Sequence, residues 1–148
     1  MHLYHGSRRT DLILKHGVDI NYPRVTDAGD LGWGWYLTDN INRAKTHGKV
    51  LIVRIDASDY AFIANPYFIQ NLQHFGPRSS VEKLFYDLAF DAKGTMLTVS
   101  GTKTSREQVS KQIRDVFLAH GYKGIITSLK DSETVVFDQT TILSISPA

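Results

Sequence analysis

The sequence predicts a single α+β domain, and three observations carry that reading. The chain has 148 residues, the size of one ordinary domain. It holds two well-marked amphipathic helices among several short β-favouring runs. These do not alternate as regular βαβ units, so a mixed sheet with flanking helices fits better than a doubly wound parallel sheet. No internal repeat, low-complexity tract or Pro/Gly/Ser-rich linker divides residues 1–148, so the domain is read as continuous.

Taken in order, residues 2–6 read as a short strand ending at Gly6, and residues 10–16 as a helical turn. Residues 17–32 carry Gly, Asp, Asn and Pro without a period and read as loop. Residues 34–38, rich in aromatic and β-favouring types, suggest a strand. Asp39-Asn40 can cap a helix over 40–47, and Val50 to Ile55 is a strong strand signal. Ser79-Ser80-Val81-Glu82 has a capping-box pattern ahead of the stripe Val81, Leu84, Phe85, Leu88 and Ala89. Thr104-Ser105-Arg106-Glu107 is a second such box, followed by Val109, Ile113, Val116 and Phe117, with Gly121 as the stop. Three strands, 124–127, 134–137 and 142–145, close the chain. The middle, 56–120, offers no further chemical motif.

Composition narrows the chemistry. The chain has no cysteine, which excludes disulfides, thiol catalysis and Cys-ligated metal. Hydrophobic content of 42% with 22% charged residues is that of an ordinary globular protein. The net charge is only +2, without a basic block or acidic tail, so composition does not point to a nucleic-acid or membrane partner. No apolar run is long enough to span a bilayer and the N-terminus lacks a signal-peptide core. The expectation is a cytoplasmic protein.

Motif spacing excludes more. Gly32-x-Gly34 lacks the third glycine of a dinucleotide fingerprint and opens a strand rather than a helix. There is no phosphate loop and no zinc helix. His2 and His5 stand three apart on a strand and face opposite sides, so no metal is expected. Three constellations remain: Leu3-Tyr4-His5-Gly6-Ser7 with Arg8-Arg9; Gly32-Trp33-Gly34-Trp35-Tyr36-Leu37-Thr38 followed by Ala44 and His47; and Gly121 to Ile126 followed by Glu133-Thr134-Val135-Val136-Phe137-Asp138. Singly, each also fits a structural role as a turn, a core strand or a solvated strand end.

In this order they resemble the ADP-ribosyltransferase superfamily, in its branch with a His, Tyr, Glu signature shared by diphtheria-like toxins and poly(ADP-ribose) polymerases. Small phage and bacterial members are similar too. His5, Tyr36 and Glu133 match the signature. The resemblance runs from residue 3 to about 145, with specific matches over about 25 residues. It implies a split mixed β-sheet core and NAD as substrate, with no metal. Breaking the nicotinamide–ribose bond expels a cationic pyridinium, so no general acid is needed. One carboxylate, Glu133, can stabilise the oxocarbenium-like ribose.

The resemblance further implies that Tyr36 stacks on nicotinamide, Gly6 backbone groups hold its carboxamide, and His5 bonds the adenosine ribose. Ser7, Gly34 and Thr38 belong to the same NAD-binding motifs. Arg8 or Arg9, following that turn, can pair with the pyrophosphate. His47 stands where many polymerase-type members carry a second aromatic, and Ala44 where some relatives have a serine. Asp131, two residues before Glu133, matches the position that engages the acceptor in the arginine-signature branch and could act as general base on the same strand face.

The expected activity is mono-ADP-ribosylation of a macromolecular acceptor, protein rather than nucleic acid, with a toxin-like or host-modifying role among the family's uses. Chain building is disfavoured by so short a sequence. An NAD glycohydrolase, a silent NAD- or ADP-ribose-binding module, and a nucleic-acid reader that stacks bases on Trp33 and Trp35 stay open at this point.

Overall fold

The computed structural model describes residues 1–18, 27–64, 80–98, 100–127 and 132–148. Its elements are β1 (His2–Ser7), α1 (Thr10–His16), β2 (Asp27–Gly29), β3 (Gly32–Thr38), α2 (Ile41–Lys45), β4 (Lys49–Ile55), β5 (Tyr60–Ile63), α3 (Ser80–Ala89), α4 (Lys103–Ala119), β6 (Gly124–Thr127), β7 (Glu133–Val136) and β8 (Ile142–Pro147). The strands follow the order β5-β6-β7-β3-β1-β4-β8, with β2 folded onto β3 as a hairpin. The β5–β6 pair is parallel, with α3 and α4 inside its crossover, and the other pairs are antiparallel. The protein is an α+β fold built on a mixed sheet.

Pairing is uneven across that sheet. β1 runs along β4 from His2↔Arg54 to Ser7↔Lys49. Against β3 it registers only at Tyr4↔Thr38. The sheet is therefore two ladders, β5-β6-β7-β3 and β1-β4-β8, joined at one narrow point. Two cores form on opposite faces of the sheet, and β3 and β7 contribute to the second as well as β1 and β4. Phe85, Ile113, Phe117, Ile125 and Val135 pack under α3 and α4. Leu3, Trp35, Leu37, Leu51, Val53 and Val136 pack on the opposite face, with Ile13 of α1 closing over them.

Several boundaries differ from the sequence reading. Residues 27–29 are a strand rather than loop, and β3 begins at Gly32, two residues earlier than expected. Hairpin pairing, Asp27↔Gly34 to Gly29↔Gly32, makes β2 a strand without any period of its own. β5 had no sequence signal; its partner β6 lies some sixty residues away in the chain. The second capping box is displaced: Thr102 caps α4 by accepting from Ser105 N at 3.1 Å. Thr104 therefore lies inside that helix. Ser79 of the first box lies outside the described residues, where α3 opens at Ser80.

The stop at Gly121 has a full physical account. Gly121 N donates to Leu118 O and Tyr122 N to Phe117 O, the double closure of a Schellman motif. Gly121 sits at φ +85°, and the Tyr122 ring packs 5.8 Å from that of Phe117. Nothing lies within 4 Å of a Cβ built on Gly121, so substitution there costs backbone strain alone. Gly121→Ala is expected to lose about 1 kcal/mol, or roughly 2–4 °C in Tm. An unchanged Tm by scanning calorimetry would contradict the left-handed closure.

Among the described residues, no helix is long and apolar enough to cross a membrane.

Candidate functional site

The junction between the two ladders opens into a cleft of about 570 Å³, within the range of small-molecule sites. His5, Gly6, Ser7 and Arg9 line it from β1 and the turn into α1. Gly34, Tyr36 and Thr38 line it from β3, His47 from the turn after α2, and Glu133 from the start of β7. Arg8 is exposed and does not line it. Asp131 lies outside the described residues.

Each side chain is held by local chemistry. Thr127 Oγ1 accepts from Glu133 N at 3.1 Å and donates to Glu133 O at 3.2 Å. One buried threonine thus fixes both main-chain groups of Glu133. Glu133 stands opposite Thr38 and Val135 opposite Tyr36. In an antiparallel pair this puts Glu133, Thr38 and Tyr36 on one sheet face, with Tyr36 and Glu133 as diagonal neighbours. Tyr36 does not hang freely. Its hydroxyl donates to Gly32 O and accepts from Leu31 N at 3.1 Å. Its ring lies so close to Gly29 that a Cβ there would collide with it. The ring is therefore anchored across the β2–β3 hairpin.

His5 sits where β1 and β3 stop pairing. Its Nδ1 donates to Tyr36 O at 2.8 Å, and Trp35 Nε1 donates to its Nε2 at 3.3 Å. The two rings lie 4.8 Å apart and tilted. Burial pushes the imidazole below its ordinary 6.5, against the raising effect of the Tyr36 carbonyl; nearby His47 lowers it further. Both ring nitrogens are thus engaged by protein. A ligand donor reaching Nε2 of His5 has to share or replace the longer bond, the one to Trp35.

α2 supplies the far wall. Asn40 caps it, its side chain accepting from Asn42 N at 2.9 Å and Arg43 N at 3.2 Å. The helix spans Ile41–Lys45, shorter than the expected 40–47, and His47 falls in the turn beyond it. α2 docks so closely on β1 that a Cβ on Gly6 would overlap the Ala44 carbonyl. The space Gly6 leaves is therefore filled by the protein itself. On the other wall, Ser7 Oγ accepts from Arg9 N at 3.0 Å and steadies the turn that carries Arg9.

The sequence reading missed Arg43 and Tyr4, both of which line the cleft. Tyr4 could have been found from strand alternation with Gly6. Arg43 had only its position beside Ala44 as a signal. With Arg9 it gives the cleft two guanidinium groups against the single carboxylate of Glu133 among its lining residues. Such a cleft suits an anionic ligand that carries one cationic or developing-cationic centre. Trp33 and Trp35 are buried, Trp35 at 1% exposure, with Lys111 Nζ 4.7 Å from the Trp33 ring centroid. They are core residues, not an exposed surface for stacking bases.

No protein-family model matches the chain, and no curated protein shows significant sequence similarity to it. Among solved structures, it is similar to a chain described as "Crystal structure of an anti-CRISPR protein". That similarity has a TM-score of 0.42 and 15% identity, covering 100% of this chain and 95% of that one.

Proposed function

We propose that the protein is an NAD-dependent mono-ADP-ribosyltransferase, moving ADP-ribose from NAD to a macromolecular acceptor and releasing nicotinamide. One observation carries the reading: His5, Tyr36 and Glu133, from three distant motifs, line one cleft. The chemistry each can supply supports it. Tyr36, its hydroxyl tied back, offers a fixed ring for nicotinamide. Glu133 can face the positive charge that grows on the ribose as the pyridinium leaves. Arg9 and Arg43 can take the pyrophosphate. The protein then works wherever NAD and its acceptor meet, as a cytoplasmic enzyme or inside a cell into which it is delivered.

The direct test is to mix protein, NAD labelled in its adenosine half, and a cell lysate. Nicotinamide release together with label on a macromolecule supports the transferase. Release without label points to a glycohydrolase using water as acceptor. NAD binding without release points to a silent binding module.

The arginines give a separate prediction. A charge-assisted hydrogen bond contributes about 1.5–3 kcal/mol. Arg43→Ala is therefore expected to weaken NAD and ADP-ribose binding on the order of tenfold or more, with the difference shrinking as salt rises. Titration calorimetry at two ionic strengths reads this. Equal affinities at low salt would remove Arg43 from the phosphate site.

A further inference from the structure

The surroundings of His5 dictate where its ring proton sits. A backbone carbonyl only accepts hydrogen bonds, and an indole N–H only donates. The 2.8 Å bond to Tyr36 O therefore requires a proton on Nδ1, and the 3.3 Å bond from Trp35 Nε1 requires a bare Nε2. The bond to Tyr36 O also lies just past Tyr4↔Thr38, where the β1–β3 ladder ends. The ring bridges a gap that main chain no longer closes.

We propose that Trp35 is a positioning residue that locks His5 in the neutral Nδ1–H tautomer, so that His5 clasps the two ladders together and presents Nε2 only as an acceptor. The lock is buried: Trp35 is 1% exposed, packed among Leu3, Leu37 and Val136. Protonating His5 would set a second N–H against the indole N–H and break the clasp on that side. With Nε2 bare, a ligand group reaching it must bring a proton, as a sugar hydroxyl does. A phosphate oxygen or carbonyl finds none there. The charged and titratable groups sharing the cleft with His5 are Arg9 by α1, Arg43 and His47 by α2, Tyr4 of β1, Tyr36 of β3 and Glu133 of β7. The proposal concerns the resting protein and stands whether or not the cleft turns over NAD.

The test is nitrogen NMR of the histidine rings in uniformly ¹⁵N-labelled protein without ligand, with the His5 signals assigned by their loss in His5→Gln. The wild type is expected to show His5 with a protonated Nδ1 and a bare Nε2, titrating below 6.5. In Trp35→Phe, which keeps an aromatic ring but removes the donor, the tautomer should become mixed and the midpoint should move up. A merely structural tryptophan would shift neither. An Nε2–H tautomer in the wild type, or a Trp35→Phe protein with unchanged tautomer and midpoint, overturns the proposal. Should Trp35→Phe not fold, the wild-type indole decides. Its N–H resonance is expected to titrate with the His5 midpoint, and a flat response across that range overturns the lock.

Discussion

Glu133→Gln is expected to lower nicotinamide release from NAD on the order of 10²-fold or more while leaving NAD affinity largely unchanged. The size follows from removing one preorganised charge that faces a developing cation. Binding should survive because the positive charge on the ribose exists in the transition state and only weakly in the ground state, so kcat falls and KM does not rise. The substitution is also mild for the fold. The pair of bonds between the main chain of residue 133 and Thr127 Oγ1 is independent of the side chain, and glutamine keeps both. The Thr38↔Glu133 pairing likewise belongs to the backbone. Chromatographic nicotinamide release and calorimetric NAD binding separate the two effects. Equal turnover in the two proteins would sink the role of Glu133, and with it the proposed reaction. A parallel loss of binding would instead make Glu133 a ground-state contact.

Much of the fold could be read from local pattern, and the exceptions share a cause. The stripes of α3 and α4 put Phe85, Ala89, Ile113 and Phe117 at the core because helix periodicity is a local property. β4 was legible for a similar reason: Leu51, Val53 and Ile55 alternate with more exposed neighbours. β2 and β5 have no such pattern. β5 is four residues long at the sheet edge, with Phe62 57% exposed, and becomes a strand through parallel pairing with β6. The two threonines at the start of α4 show the limit of capping signals. Thr104 has the glutamate three residues on, yet Gly101 at φ +86° turns the chain so that Thr102 caps first.

The site divides along the same line. His5, Tyr36 and Glu133 stood out because each sits in a distinctive short motif. The Tyr36 hydroxyl anchor, the Trp35 donor on His5 and the presence of Arg43 in the cleft are products of tertiary packing. No spacing rule reaches from residue 5 to residue 35, or from Arg9 to Arg43.

Gly6→Ala is expected to destabilise the ligand-free protein by about 2–4 kcal/mol, the upper range for forcing an extra methyl into a packed contact. For a domain of this size that is a fall in Tm of roughly 5–15 °C. The family resemblance implies that Gly6 backbone groups hold a ligand carboxamide, a role a glycine suits because it lets the backbone come close. That account alone leaves the apo protein indifferent to a methyl and raises only the KM for NAD. The structure gives a different neighbour: the methyl would overlap the Ala44 carbonyl oxygen, a main-chain atom that cannot rotate away. Relief requires α2 to move off β1, and α2 and the turn after it carry Arg43 and His47 into the cleft. Stability and NAD affinity should therefore fall together, and Gly6→Ala should weaken ADP-ribose binding even though ADP-ribose has no nicotinamide. Scanning calorimetry without ligand distinguishes the accounts. A Tm equal to wild type, with only NAD affinity reduced, would return Gly6 to a role in ligand contact and remove the α2–β1 docking as the reason for a glycine there.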